Sequence, residues 1–209
     1  MKPQPFSRRR FLETAAITSA PFILPSGIWS AKIKPNDKIA MGFIGMGKQN
    51  VGLQNRFMAD KNVVCVAVSD CDTSRRNAAL KRAHKRYQNE NCKGYNDYRE
   101  VITRNDIDAV CIATPDHWHA IQTVEAVNSG KDVYCEKPLT HNIHESIEVM
   151  KVVDNKKAIL QTGSMQRSSR VFRVACELVR NGVIGKVKST AVNIGPPGIP
   201  CDLPTEKME

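Results

Sequence analysis

The strongest constraint in this sequence is an alternation. Five short runs, Ile39–Ile44, Val63–Val68, Ala109–Ala113, Val133–Cys135 and Ala158–Gln161, are apolar almost throughout and rich in β-branched residues. The stretches between them, Val51–Ala59, Thr73–Tyr87, Tyr98–Thr103, His117–Asn128 and Ile143–Asp154, read as helices. A strand apolar on both sides needs cover on both faces, which is the situation of a parallel sheet with crossover helices. Right-handed crossovers then predict an α/β fold, a doubly wound parallel sheet over residues 38–162. Asp72 or Thr73 is the expected cap of the second helix, and Ser129-Gly130 the expected glycine stop of the fourth. Ligands should bind at the carboxyl ends of the strands.

The flanks differ. Ser7-Arg8-Arg9-Arg10-Phe11-Leu12 precedes a weakly apolar stretch to Trp29. That order predicts a twin-arginine signal over residues 1–31 and a periplasmic destination. The stretch holds Pro21, Pro25 and Gly27, so no membrane span is expected. From Arg167 the pattern changes. A helix, Phe172–Arg180, closes at Asn181-Gly182, and Lys186–Ile194 alternates like a strand before a Gly-Pro stretch. Residues 163–209 are read as a linker and the truncated start of an α+β substrate domain.

The net charge of +10 invites a polyanion reading. However, the densest cluster outside the signal is Arg75, Arg76, Lys81, Arg82, Lys85 and Arg86, with one aromatic neighbour, Tyr87. It reads as a solvated helix face, and no nucleic-acid partner is expected. Seven cysteines without a C-x-x-C predict neither a disulfide framework nor zinc. His117-x-His119 and His141-x-x-His144 lack completing ligands, so no metal is assigned.

The first run ends in Gly45-Met46-Gly47, a G-x-G at the entry to a helix. There the first glycine allows a tight turn and the second admits a pyrophosphate against the helix N-terminus. The third fingerprint glycine is replaced by Asn50, with Gly52 two residues on, so a shifted or loosened helix is expected. Asp70 ends the second run and is placed to accept both ribose hydroxyls of adenosine. It would repel a 2′-phosphate, favouring NAD, with NADP open because Arg75 and Arg76 follow closely. Lys137, at the end of a buried run, can orient a substrate hydroxyl and stabilise alkoxide charge, or pair with Glu136.

Three further segments carry a resemblance: Tyr95-Asn96-Asp97-Tyr98-Arg99-Glu100, Ala113-Thr114-Pro115-Asp116-His117-Trp118-His119-Ala120 and Glu136-Lys137-Pro138. With the G-x-G, they resemble the glucose–fructose oxidoreductase / inositol dehydrogenase / MocA (Gfo/Idh/MocA) family from about Ile39 to Gly195. The resemblance implies hydride transfer between NAD(P) and a sugar, polyol or related compound. It implies that Thr114 and Pro115 line the cofactor's ribose and adenine, that Trp118 and His119 begin the next helix beside it, and that Glu136 and the catalytic Lys137 lie near the nicotinamide, before a cis-proline. Gly163, Gln166 and Arg167 resemble the family's interdomain segment, facing the nicotinamide end. The resemblance further implies a second domain, mostly antiparallel, that supplies the substrate pocket, an acid/base histidine and the oligomer surface. Only its start is expected here, so no general base is assigned. Two alternatives stay open: a non-catalytic NAD-binding short form, and an NAD-dependent glycosidase, against which the Glu136-Lys137-Pro138 pattern argues.

Overall fold

The computed structural model describes residues 38–195. The arginine-rich segment 1–31 lies outside them, as does the Gly-Pro stretch from residue 196.

The element order is β1 (Ile39–Ile44), α1 (Lys48–Ala59), β2 (Val63–Ser69), α2 (Thr73–Tyr87), β3 (Lys93–Tyr95), α3 (Tyr98–Ile102), β4 (Ala109–Ile112), a 3-10 turn (Asp116–Trp118), α4 (His119–Asn128), β5 (Asp132–Glu136), α5 (Ile143–Lys156) and β6 (Leu160–Gly163). The strands form one parallel sheet in the order β3-β2-β1-β4-β5-β6. Successive residues of a strand point to opposite faces, and here both faces are covered. Phe43 and Cys111 pack into one core with Leu53, Met58 and Ala79. Ile44 and Ile112 pack into the other with Val101, Ala126 and Val127. Two buried faces are why the runs show no polar alternation.

β3 has no counterpart among the expected strands. Its sequence, Lys93-Gly94-Tyr95, carries no apolar run, because an edge strand pairs on one side only, here with β2. The strand expected at Ala158–Gln161 begins two residues later. Lys157 ends α5 in the left-handed conformation (φ 56°), and the Ala158 N–H donates to the Val153 carbonyl. The helix stop therefore consumes the start of the apolar run. Lys186–Ile194 forms no strand among the described residues. Alternation needs a hydrogen-bonding neighbour to become a strand, and the described residues supply none to this segment.

The basic face of α2 is less solvated than expected. Arg76 Nη1 donates to the Asp70 carbonyl (2.5 Å), Arg82 Nε to Gln54 Oε1 (2.9 Å) and Arg86 Nε to the Met58 carbonyl (3.1 Å). These three arginines tie α2 to α1 and to the end of β2.

One compact unit ends at Gly163. The unit from Ser164 contains a 3-10 turn, Met165–Ser168, and α6, Arg170–Arg180. Val171, Phe172 and Leu178 of α6 are exposed.

Candidate functional site

The site is built where β1 and β4 lie side by side. There the chain winds outward in both directions, leaving a crevice at the strand ends. Gly45 turns the chain at φ +78°, and a Cβ there would lie 2.6 Å from Thr114 Cγ2 and 2.8 Å from the Thr114 nitrogen. Only glycine fits. Gly47 differs. Its φ is −68°, and a Cβ would meet nothing nearer than Arg75 Nη1 at 3.9 Å. The fold does not need a glycine at 47; the open space does.

That space is a cavity of about 600 Å³ bounded by Gly45, Gly47, Lys48, Asp70, Arg75, Asn96, Tyr98, Thr114, Pro115 and Trp118, among others. The N-terminus of α1 bounds it without a side-chain cap and with no acid in the first turn. By contrast, Asp72 caps α2, Asp97 caps α3 and Asn142 caps α5. Uncapped N–H groups and the positive end of the helix dipole make an anion site.

Asn50 stands where the third fingerprint glycine would be. It is fully buried, and its amide donates to the carbonyls of Ile44 (3.2 Å) and Gly45 (3.0 Å). Cys111 Sγ approaches its Oδ1 at 3.5 Å. The side chain that breaks the glycine pattern thus clamps the turn. A Cβ at Gly52 would meet nothing within 4 Å, so that residue does not replace the missing contact.

Asp70 ends β2 nearly buried. Its Oδ2 accepts the Met46 N–H at 2.6 Å and its Oδ1 the Asp72 N–H at 2.8 Å. Each oxygen keeps a lone pair for a ligand hydroxyl. Met46 contributes only this backbone contact, because its side chain lies in the core. Arg76 is spent on Asp70, Asn96 and Thr73, whereas Arg75 pairs with Asp72 at 3.4 Å and borders the cavity.

On the other wall, Thr114 Oγ1 donates to Gln122 Oε1 at 2.7 Å and Pro115 lines the cavity. Trp118 is part-exposed there and meets Tyr98 edge-on at 6.4 Å. Tyr98 donates to Glu125 at 2.7 Å; burial, then this carboxylate, raise its phenol pKa.

His119 is placed differently from the expectation of a cofactor contact. It is buried, with Nδ1 2.6 Å from the Pro138 carbonyl and Nε2 2.9 Å from the Thr114 carbonyl. The ring joins the Thr114-Pro115 loop to the Glu136-Lys137-Pro138 loop and does not border the cavity. Glu136 is also buried. Its Oε1 accepts from Gln49 Nε2 (3.0 Å) and from Tyr134 (3.3 Å), whose phenol is pushed up to about 12, chiefly by burial. A Cβ on Gly163 would sit 2.7 Å from that carboxylate, which accounts for the glycine ending β6. Lys137 is exposed at the end of β5, before a cis peptide bond to Pro138. Only its backbone N–H reaches Glu136 (3.3 Å), so the ion pair considered from the sequence is not made. Asn50, Gln49 and Gln122 were not assigned from sequence; polar residues on helices give no sign of which carbonyl or carboxylate they will meet. Gln166 and Arg167 lie in the second unit.

The residues fit a dinucleotide: a free helix N-terminus for phosphate, a carboxylate for a vicinal diol, aromatic edges on the far wall, and room that a Cβ at 47 would fill. Fold and site together define a dinucleotide-binding Rossmann domain. Residues 39–164 match the Gfo/Idh/MocA model, described as an oxidoreductase family with an NAD-binding Rossmann fold. The chain belongs to this family, and the nicotinamide dinucleotide expected from the sequence is the family's cofactor. Among solved structures, it is similar to a myo-inositol 2-dehydrogenase from Lactobacillus plantarum (TM-score 0.63, 30% identity, 72% of this chain, 43% of that one). It is also similar to a scyllo-inositol dehydrogenase from Lactobacillus casei with bound NAD(H) and scyllo-inositol (TM-score 0.63, 25% identity, 71% and 42%). Among curated proteins, it is 26% identical over 209 residues to glycosyl hydrolase family 109 protein 2 of Shewanella sp. strain ANA-3, covering 87% of this chain and 44% of that protein. The chain thus spans less than half the length of these relatives.

Proposed function

We propose that this chain is the cofactor-binding part of an exported oxidoreductase that moves a hydride to or from a sugar, polyol or cyclitol, with NAD preferred over NADP. The observation that carries the reading is the uncapped start of α1, opening beside Gly47 into a cavity that Asp70 also borders. Bound NAD would supply the hydride acceptor or donor. The N–H groups of α1 hold a diphosphate, and the free lone pairs of Asp70 accept ribose hydroxyls. Asp70 and Asp72 disfavour a 2′-phosphate, and three of the five N–H donors of Arg76 are engaged by Asp70, Asn96 and Thr73. Lys137, with its ammonium free of ion pairs among the described residues, orients a substrate hydroxyl and stabilises developing alkoxide charge. The inositol dehydrogenases support the substrate class, and the arginine pair at the front supports export.

A second reading is a glycosidase that works through transient oxidation, favoured by the glycosyl hydrolase family 109 relatives. Lys137 at the end of β5 favours the dehydrogenase. Calorimetric titration with NAD and NADP tests the cofactor assignment. NAD should bind at least ~10-fold more tightly, a difference of about 1.4 kcal/mol, and equal or reversed affinities would overturn the preference. Lys137→Ala should leave NAD affinity unchanged while abolishing polyol oxidation by the intact oxidoreductase. Retained oxidation would remove the lysine from the chemistry.

A further inference from the structure

Among the described residues, the four buried cysteines differ in surroundings. Cys111 and Cys135 are embedded in the two cores, and burial pushes both thiols up, Cys135 to about 11. Burial thus holds both as thiols rather than thiolates. Cys65, on β2, and Cys92, one residue before β3, face each other with 3.7 Å between sulfurs. The Gln54 amide points at Cys65 Sγ from 3.7 Å, and Gln54 Oε1 in turn accepts from Arg82 Nε at 2.9 Å. An amide and a second thiol therefore meet at one sulfur, with the Arg82 cation one hydrogen bond further back, on Gln54. The Cys92 hydrogen bond draws Cys65 toward the thiolate, against the effect of burial, and Cys92 is correspondingly kept protonated. The pair also has an exit. β3 is a three-residue edge strand paired on one side, with Lys93 and Gly94 exposed. Such edges open locally at small cost.

We propose that Cys65 and Cys92 form a peroxide-sensitive dithiol that closes to an intramolecular disulfide. The Cys65 thiolate attacks one oxygen of hydrogen peroxide, the O–O bond breaks, and the departing hydroxide takes a proton to become water. Cys65 is then a sulfenic acid. The sulfur of Cys92 attacks Cys65 Sγ, the S–O bond breaks, and hydroxide leaves with the Cys92 proton as a second water. Two thiols and one peroxide give one disulfide and two waters. The sulfurs must approach from 3.7 Å to about 2.05 Å. The bond would pin the edge strand leading to Asn96 against the strand leading to Asp70, two residues of the cofactor cavity.

The test treats the 209-residue chain with hydrogen peroxide and maps its peptides with and without dithiothreitol. The expected product is a Cys65–Cys92 peptide pair that is lighter by two hydrogen atoms and released by dithiothreitol, with Cys111 and Cys135 recovered as thiols. A Cys92→Ser variant should stop at the Cys65 sulfenic acid, captured by a cyclic 1,3-diketone. Should that variant fail to fold, the wild-type map decides alone. Recovery of Cys65 and Cys92 as thiols after the exposed Cys71 and Cys176 have oxidised would overturn the proposal. So would a bridge from Cys65 to any other cysteine.

Discussion

Gly45 and Gly47 belong to one three-residue motif and do different work. At Gly45 the backbone is left-handed and the Thr114 backbone leaves no room for a Cβ. Gly45→Ala should therefore destabilise the domain by about 1–3 kcal/mol, measured by denaturant unfolding. At Gly47 the conformation is open to any residue and the neighbouring space is empty. Gly47→Asp should fold normally and gain a helix cap, while losing on the order of 10- to 100-fold in NAD affinity through charge against the diphosphate. Calorimetry and unfolding on both variants separate the two roles, and the assignment fails if Gly47→Asp binds like the wild type. Asn50 gives the counterintuitive case. Restoring the fingerprint with Asn50→Gly removes two hydrogen bonds that hold the turn. It should cost about 1–3 kcal/mol of stability, and a more stable variant would show that the clamp contributes nothing. Sequence reading located this turn correctly but took Asn50 for a defect, because the carbonyls it reaches become neighbours only once β1 and α1 are packed.

At the scale of elements, the helix N-termini differ in how they are finished. α2, α3 and α5 carry Asp or Asn caps, whereas α1, α4 and α6 have no side-chain cap; α1 follows the glycine turn and opens at Gly47 and Lys48 into the cavity. The α2 cap was legible from sequence to within one residue, as Asp72 or Thr73, and the structure places it at Asp72. It also has a pH signature. The Ser74 hydroxyl, followed by the Arg75 backbone N–H, holds the Asp72 carboxyl below its ordinary value of 3.8. A carboxylate with a depressed folded pKa stabilises the fold above its unfolded value and loses that contribution as pH falls through the folded one. Urea unfolding of wild type and Asp72→Asn should therefore converge as pH drops below 3.8. A constant difference across that window would exclude the cap as the cause. β3 was not legible, because three residues at a sheet edge carry no hydrophobic pattern. Lys186–Ile194 failed in the opposite sense, since alternation without a neighbour is not a strand.

For the whole molecule, the order β3-β2-β1-β4-β5-β6 decides function by position. It sets β1 beside β4, so that Gly45, Asp70 and Thr114, far apart in the chain, surround one cavity. Ligand binding there should be linked to global stability. NAD at 100 times its dissociation constant should raise the unfolding free energy by about 2.7 kcal/mol, and Gly47→Asp should cancel most of that gain at the same concentration. No shift with wild type, under conditions where calorimetry shows binding, would place the ligand outside the folded domain. The sequence by itself determined the class of fold, the glycine turn, the carboxylate at the end of β2 and the family, because each rests on local pattern: apolar runs, turn chemistry and short motifs. Only the tertiary structure decided that Asn50 clamps the turn, that His119 joins two loops, that Arg76 reaches Asp70, Asn96 and Thr73, and that Cys65 faces Cys92. Those roles depend on which atoms meet across elements, and contact between distant segments is set by packing rather than by the order of residues along the chain.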